Sequence, residues 1–592
     1  MSMANKSIIY TLIIIILFSI FLFSAENNML VSTQGSLHDW FSTTISIAIS
    51  DSLYGLDGGL GYHSIRDALL QHGTIDDNII NEVMSINHVA SLGVHSSAEV
   101  DLGFAYFANL AFYFFGYSVS SLLYFYFIIL AGSVILFLIE FRSRDEALVL
   151  IVLTLLAYYS TLLVLPNPSI GDGGGTVFTY RFISMLAIVP IFHITLKSIT
   201  FYENIRNDIY FSNLAVLLQS IIICSVFFIR SSSAWIFILA LFIVFVNIFF
   251  RKTDSKSSVF TTNLAGILKK LFFNKNTPIL ILFTSLIFIG SLYKFSLSSE
   301  YELKDEGGHI FWHSIFLGQA TNPVIKKRYT EFDSDHRSHG LVSRICSKDK
   351  ILINKNINFI PISRQWLCDK QEILKYLIDI RRKLFFDATH DQDGFSAAFK
   401  YLSDNNQSAQ KLFNFNPEDN VNYKDEFEWF NKPHDLSIIA PETTARNQVN
   451  FNFNRHYNWK EHEIILKSVV LDAVKTYPIE IIVNALIVRP IQFISFYFKN
   501  YFTSAGWLNN LFILGMLMLL SLSVKSKCND KLRLLKPPLA TTFIFSMITP
   551  IVVYPGPHLI ADQSVILSTI ILFFMLVALV SIRGKIYEFK SR

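Results

Sequence analysis

The residues best suited to chemistry lie in the stretch Asp57 to Gly73, which reads DGGLGYHSIRDALLQHG. Asp57 opens it with a carboxylate, a group able to take a proton from a reacting hydroxyl. The glycines that follow let the backbone turn tightly and let a ligand come close. Tyr62, Ile65, Leu69 and Leu70 then recur at helical spacing, and Gly73 marks a stop. The stretch therefore reads as an acid at the mouth of a short amphipathic helix. Asp57 either acts chemically or caps that helix, since helix starts favour Asp. Asp51 is a second acid just upstream, and Glu99 and Asp101 precede an apolar run as a further acidic site or as its caps.

Positive groups complement these acids. Arg181 and Arg230 stand at the ends of long apolar segments. An Arg fork meets phosphate oxygens bidentately; the plainer role is snorkelling to an interface. In GGHIFWHS, His309 and His313 are spaced to share a helix face, where they could hold a metal. Position 310 is Ile, so the Glu of a zinc hydrolase motif is missing. With Trp312 the pair better suits a lid over a sugar ring. His558, in YPGPHLIADQS, is a loop histidine that could reach a phosphate or sugar.

The elements that must position these groups are membrane spans. Of 592 residues, 52% are hydrophobic and 16% charged, with a mean hydropathy of +0.41. Soluble domains average about a quarter charged, so the chain is expected to be an all-α polytopic membrane protein. A net charge of +4 gives no reason to expect nucleic acid. Apolar segments fall at 7–24, 119–140, 147–165, 182–199, 210–229, 232–250, 277–296, 507–525, 538–555 and 564–582. Each is near the roughly 20 residues needed to cross the hydrocarbon core. The first reads as a retained helix rather than a cleaved signal.

Lys and Arg cluster in alternate loops, around 142–144, 197–206, 251–275, 525–533 and 583–592, which marks these loops and both termini as cytoplasmic. The opposite loops are 25–118, 166–181, the turn at Arg230, 297–506 and 555–563. Arg66 is the single Lys or Arg in the first of them. Within that loop, 40–50 reads as an interfacial helix, and 104–117 with the span from Val119 reads as a hairpin turning at Gly116. Three regions result: 1–296, a membrane module whose first outer loop is 25–118; 297–475, a polar outer domain; and 476–592, an interfacial or broken helix followed by the last three spans. Arg489–Pro490 interrupts that helix, and a midspan Arg is costly enough to expect it outside the membrane core.

Over residues 7–250 the chain resembles the GT-C superfamily of membrane glycosyltransferases. The match lies in the first helix, the long outer loop with DGGLGYHSIRDALLQHG, and DLGFAYFANLAFYFFGYS. The latter is similar to the interfacial hairpin of bacterial mannosyl- and aminoarabinose-transferase-like members, with Asp101-Leu102-Gly103 where those carry Pro-Pro. The resemblance implies transfer of a sugar from a polyprenyl-phosphate-linked donor to a cell-envelope glycan, lipid or protein acceptor. It implies a bacterial inner membrane, with the large loops in the periplasm. It makes Asp57 (or Asp51) the base and Arg181 and Arg230 the phosphate contacts. Glu99, Asp101, Tyr62, His309, His313 and His558 become substrate-binding candidates, with room for a divalent cation. A polysaccharide polymerase or ligase, or a lipid-linked sugar transporter, is the alternative. Cys346 and Cys368 would share the oxidising side as a disulfide, away from Cys224 and Cys528.

Overall fold

The structure, a computed structural model, describes residues 3–32, 39–56, 59–72, 81, 94–96, 102–142, 144–164, 180–199, 209–249, 277–296, 311–319, 467, 470–471, 473–504, 506–524, 532–552 and 561–591. The chain divides into two compact units. One comprises Met1–Tyr301, Gln492–Pro550 and Pro555–Arg592; the other comprises Glu302–Ile491 and Ile551–Tyr554.

The first unit opens with α1 (Met3–Ser32) and α2 (Asp39–Tyr54), then β1 (Leu60–Tyr62), α3 (His63–His72) and β2 (Val94–Ser96). The hairpin of α4 (Gly103–Phe115) and α5 (Val119–Phe141) follows, then α6 (Asp145–Val164). The short α7 (Tyr180–Ile183) leads through a 3-10 turn into α8 (Ile188–Ile199). Next are α9 (Ile209–Ile229), α10 (Trp235–Phe249) and α11 (Thr277–Ser296). In the second unit lie α12 (Phe311–Gln319), α13 (Pro478–Val483) and the π turn Asn484–Val488, which runs on into α14 (Arg489–Ser504). The chain then forms α15 (Gly506–Ser523), α16 (Lys536–Ser546), α17 (Ile548–Val552) and α18 (Ala561–Ser591).

Seven helices among the described residues are long and apolar enough to cross a membrane: 119–141, 145–163, 212–229, 277–294, 478–502, 506–523 and 561–586. The protein is a polytopic helical membrane protein. Its one sheet among the described residues is a ribbon in which β1 pairs antiparallel with β2, Gly61 opposite His95. The core helix is α6, apolar all round and buried along almost its whole length, as such a pattern requires. It packs against α1 and α18.

The hairpin turns where expected. Gly116 has φ +81°, a conformation that side chains disfavour. Ser118 caps α5 by accepting from the Ser121 amide at 3.2 Å, and the Ser121 hydroxyl donates to the Gly116 carbonyl at 2.6 Å. The expected helix over 40–50 is α2.

Three expectations need correction, and a fourth segment is described with them. Tyr62 ends a strand rather than sitting on the helical face, because residues 60–62 pair with distant 94–96; the helix begins at His63, with Ile65 and Leu69 buried. The 538–555 segment is two short helices broken at Met547, where Pro550 cannot continue the ladder. The 232–250 segment starts with a 3-10 turn, leaving α10 at 15 residues. Residues 478–502, expected as an interfacial or broken helix, are helical with a π turn and by length and composition could cross a membrane, and Arg489 is buried there within the protein.

The accommodation of Arg489 is local. Pro490 has no N–H to give the preceding turn, and the helix widens: the Arg489 amide donates to the Asn484 carbonyl, five residues back. The fully buried Arg489 side chain turns onto the C-terminus of α12, donating from Nε to the Gly318 carbonyl at 2.7 Å and from Nη2 to Ile315 at 3.4 Å. A third bond goes from Nη1 to the Ile551 carbonyl. A cation there meets the negative end of the helix dipole. Gly318 has no Cβ for a reason, since an added one would fall on the guanidinium.

Candidate functional site

Two polar clusters sit at opposite ends of α9. The first gathers at its C-terminus. The helix ends at Ile229, Arg230 is extended (φ −153°), and a 3-10 turn over Ser231–Ala234 leads into Trp235. Arg230 is 5% exposed and Trp235 1% exposed. The first turn of α18 faces them. Asp562 Oδ2 accepts from Trp235 Nε1 at 3.0 Å and from Gln563 Nε2 at 3.2 Å. Arg230 lies within electrostatic reach of the same carboxylate, as does Tyr158 of α6. Opposite charges so placed keep the apolar bundle from carrying an uncompensated ion.

The hairpin is fastened to this turn. A Cβ on Gly103 would meet the carbonyl carbon and oxygen of Phe228 at 2.5 Å and the Ile229 amide nitrogen at 2.7 Å. Only glycine permits that approach, so the start of α4 rests on the backbone just ahead of Arg230. α2 in turn packs on α4, through Ile47 against Leu102 and Ala105, and through Asn109, whose side-chain amide donates to Asp51 Oδ2. Asp51 thus spends its charge joining two helices. Ser50 Oγ accepts from the Tyr62 amide at 3.0 Å, which ties the ribbon to α2. The Tyr54 and Tyr62 rings meet edge to face at 5.8 Å, and burial followed by the neighbouring Tyr62 pushes the Tyr54 phenol up.

Asp57 itself lies outside the described residues. On either side of it in the sequence, Gly55 and Gly59 have φ of +62° and +84°. Arg181 is in α7, whose backbone packs against both α9 and α18, the helices that bring Arg230 and Asp562 together. His313 is on α12, where Lys467 Nζ sits 5.5 Å from the neighbouring Trp312 ring. Glu99, Asp101, His309, His558, Cys346 and Cys368 lie outside the described residues. The N-cap of α4 is Leu102, with no side-chain cap. Among the described residues no group of three His, Cys, Asp or Glu is arranged to hold a metal.

Sequence reasoning missed the second cluster, at the other end of α9. Glu140 accepts from Lys197 Nζ at 2.6 Å and from Ser212 Oγ at 2.6 Å, and lies 2.9 Å from His193 Nε2. Gln219 continues the network, donating to the Ser133 carbonyl at 2.9 Å and accepting from its hydroxyl at 2.8 Å. Glu140, His193 and Gln219 are buried. Lys197 reads in the sequence as a topology marker alone; it also closes a buried ion pair. The usable signal was a lone acid and a lone base at the edges of neighbouring spans. Asp562, opposite Arg230, carried the same one.

None of the family models, characterised proteins or solved structures compared with the chain matches it.

Proposed function

We propose that the protein is a membrane glycosyltransferase of the GT-C kind. It moves a sugar from a polyprenyl-phosphate-linked donor to a cell-envelope acceptor at the outer face of a bacterial inner membrane. In this reading the Arg230 end is periplasmic, ten segments cross, 478–504 stays on the outer side with the domain 297–475, and that domain meets the acceptor. Both termini are cytoplasmic, because the basic loops demand it.

One observation carries the reading: the Gly103 contact, which seats the first-loop hairpin directly on the turn that bears Arg230. It supports a reading in which the first outer loop, which carries Asp57, works at the turn that bears Arg230. Asp57, which opens the DGGLGYHSIRDALLQHG stretch, takes the proton of the acceptor hydroxyl as its oxygen attacks the anomeric carbon. The bond from that carbon to the phosphate oxygen breaks, and the polyprenyl phosphate leaves with the electron pair. Arg230, and Arg181 of α7, stabilise the departing phosphate.

The test is Asp57→Asn in a strain lacking the native gene. Wild-type protein should restore the glycosylated acceptor and draw down lipid-linked sugar. The Asn variant should insert and accumulate normally yet fail in transfer by about 10²–10⁴-fold, the usual worth of a general base. Unchanged transfer by Asp57→Asn would remove the assignment.

A further inference from the structure

α2 and α4 run side by side in the same direction, and their contacts advance turn by turn. Ile47 packs with Leu102 and Ala105, and one turn later Asp51 accepts from the Asn109 amide. The next turn carries Tyr54 on α2, three residues past Asp51, and Tyr113 on α4, four past Asn109. At those spacings each tyrosine shares a helix face with the polar residue behind it. The Ser52 and Tyr117 hydroxyls lie 3.0 Å apart, which carries the same register to the tip of the hairpin. Tyr62 of β1 sets its ring against that of Tyr54. Four tyrosines, from α2, β1, α4 and the hairpin turn, therefore collect at one end of the first-loop assembly, beside a carboxylate and an amide.

This end is open. Tyr113 is 80% exposed and Tyr54 38%, while Asp51 and Asn109 are half-buried. The bond that joins Asp51 to Asn109 also fixes both side chains, and such preorganisation lowers the cost of binding. Carboxylates accept from hydroxyls, and amides donate and accept. Tyrosine rings add apolar faces with polar tips, which suit the C–H side of a sugar. A phosphate headgroup would meet an acid here and no exposed cation of the first loop: Arg66 is the single Lys or Arg in residues 25–118, and it is buried on α3. Asp57 follows Tyr54 by three residues, about 11 Å of chain at full stretch, and precedes Tyr62 by five. A general base must come within hydrogen-bond reach of the hydroxyl it deprotonates, so a ligand held on these tyrosines is the acceptor. We propose that Tyr54 and Tyr113, with Asp51 and Asn109 one turn behind them, form the acceptor subsite, and that the acceptor presents an uncharged sugar to it. This rests on the glycosyltransferase reading and narrows its acceptor to a carbohydrate.

The experiment uses full-length protein in an amine-oxide detergent, so that no glycoside detergent competes. Methyl glycosides of glucose, galactose, mannose and N-acetylglucosamine are titrated, and binding is read by saturation transfer from protein to sugar protons. Glycerol serves as the control for hydroxyls without a ring. Wild-type protein should bind at least one glycoside and not glycerol. Tyr54→Leu and Tyr113→Leu should each weaken that binding about 2–10-fold, the usual worth of an aromatic contact, and Tyr113→Phe, which keeps the ring, should retain it. Leu keeps each position apolar, so a tyrosine that only rests at the bilayer interface would show no such loss. Thermal unfolding verifies the variants, and Tyr113, being on the surface, decides the matter should Tyr54→Leu fail to fold. No glycoside binding by wild-type protein, or equal binding by wild type and Tyr113→Leu, overturns the subsite. Binding of a fluorescent polyprenyl phosphate by the same preparation separates the two readings. Retained where glycosides fail to bind, it leaves the glycosyltransferase reading standing; absent along with them, it overturns both.

Discussion

Replacing Gly103 with Ala tests the joint on which the functional reading rests. The new methyl carbon would start 2.5 Å from the Phe228 carbonyl carbon and oxygen. Ordinary contact is about 3.5 Å, so α4 must retreat by about 1 Å. The obstacle is helix backbone, which cannot rotate aside as a side chain would. Overpacking of this sort costs about 1–3 kcal/mol. A displacement of about 1 Å at a catalytic assembly can cost 10²-fold in rate, so activity should fall further than stability. The internal control is Gly132, within α5, where an added Cβ meets nothing within 4 Å; Gly132→Ala should be neutral or stabilising by up to about 1 kcal/mol. Thermal unfolding in detergent and a transfer assay on both variants give the comparison. If Gly103→Ala matches Gly132→Ala in both, the hairpin is not seated on the Arg230 turn.

Three further outcomes are expected. Gly318→Ala and Arg489→Met should destabilise by similar amounts and combine less than additively, since both cut the same bond; fully additive losses would contradict that bond. Glu140→Leu should cost about 3 kcal/mol by leaving Lys197 and His193 without their carboxylate, and adding Lys197→Met should recover part of the loss; an unchanged unfolding midpoint for the single variant would refute the network. Cys346 and Cys368 should resist thiol labelling on intact cells until a reductant is added, and full labelling without it would exclude the disulfide.

The local half of this architecture is legible in the sequence. The α4–α5 hairpin is an apolar run broken by Gly116-Tyr117-Ser118, and both the break and its glycine are local signals. The span pattern likewise needs only hydropathy. Distant pairing is where reading fails. β1 and β2 are three-residue strands whose partner choice is set by packing on α2 rather than by propensity. The bond from Trp235 to Asp562 joins positions 327 residues apart, and one acid at a span edge does not announce its base. The partners of Arg489 are hidden in the same way. Its burial is costly only if unmatched, and the three carbonyls that match it come from α12 and Ile551, which no sequence window includes.

The Glu140 network carries a consequence for how the chain is made. Glu140 leaves the ribosome 53 residues ahead of His193, 57 ahead of Lys197 and 72 ahead of Ser212. At about 5–20 residues per second, roughly 4–14 s pass between synthesis of the acid and of its last partner. During that interval α5 cannot release Glu140 into lipid at an acceptable cost. Near the end of α5 it must stay hydrated at the membrane surface, and its buried pairing forms only when α8 and α9 arrive. Ribosome pausing after α5 would lengthen the wait, and proteolytic loss of nascent chains should concentrate between residues 141 and 212.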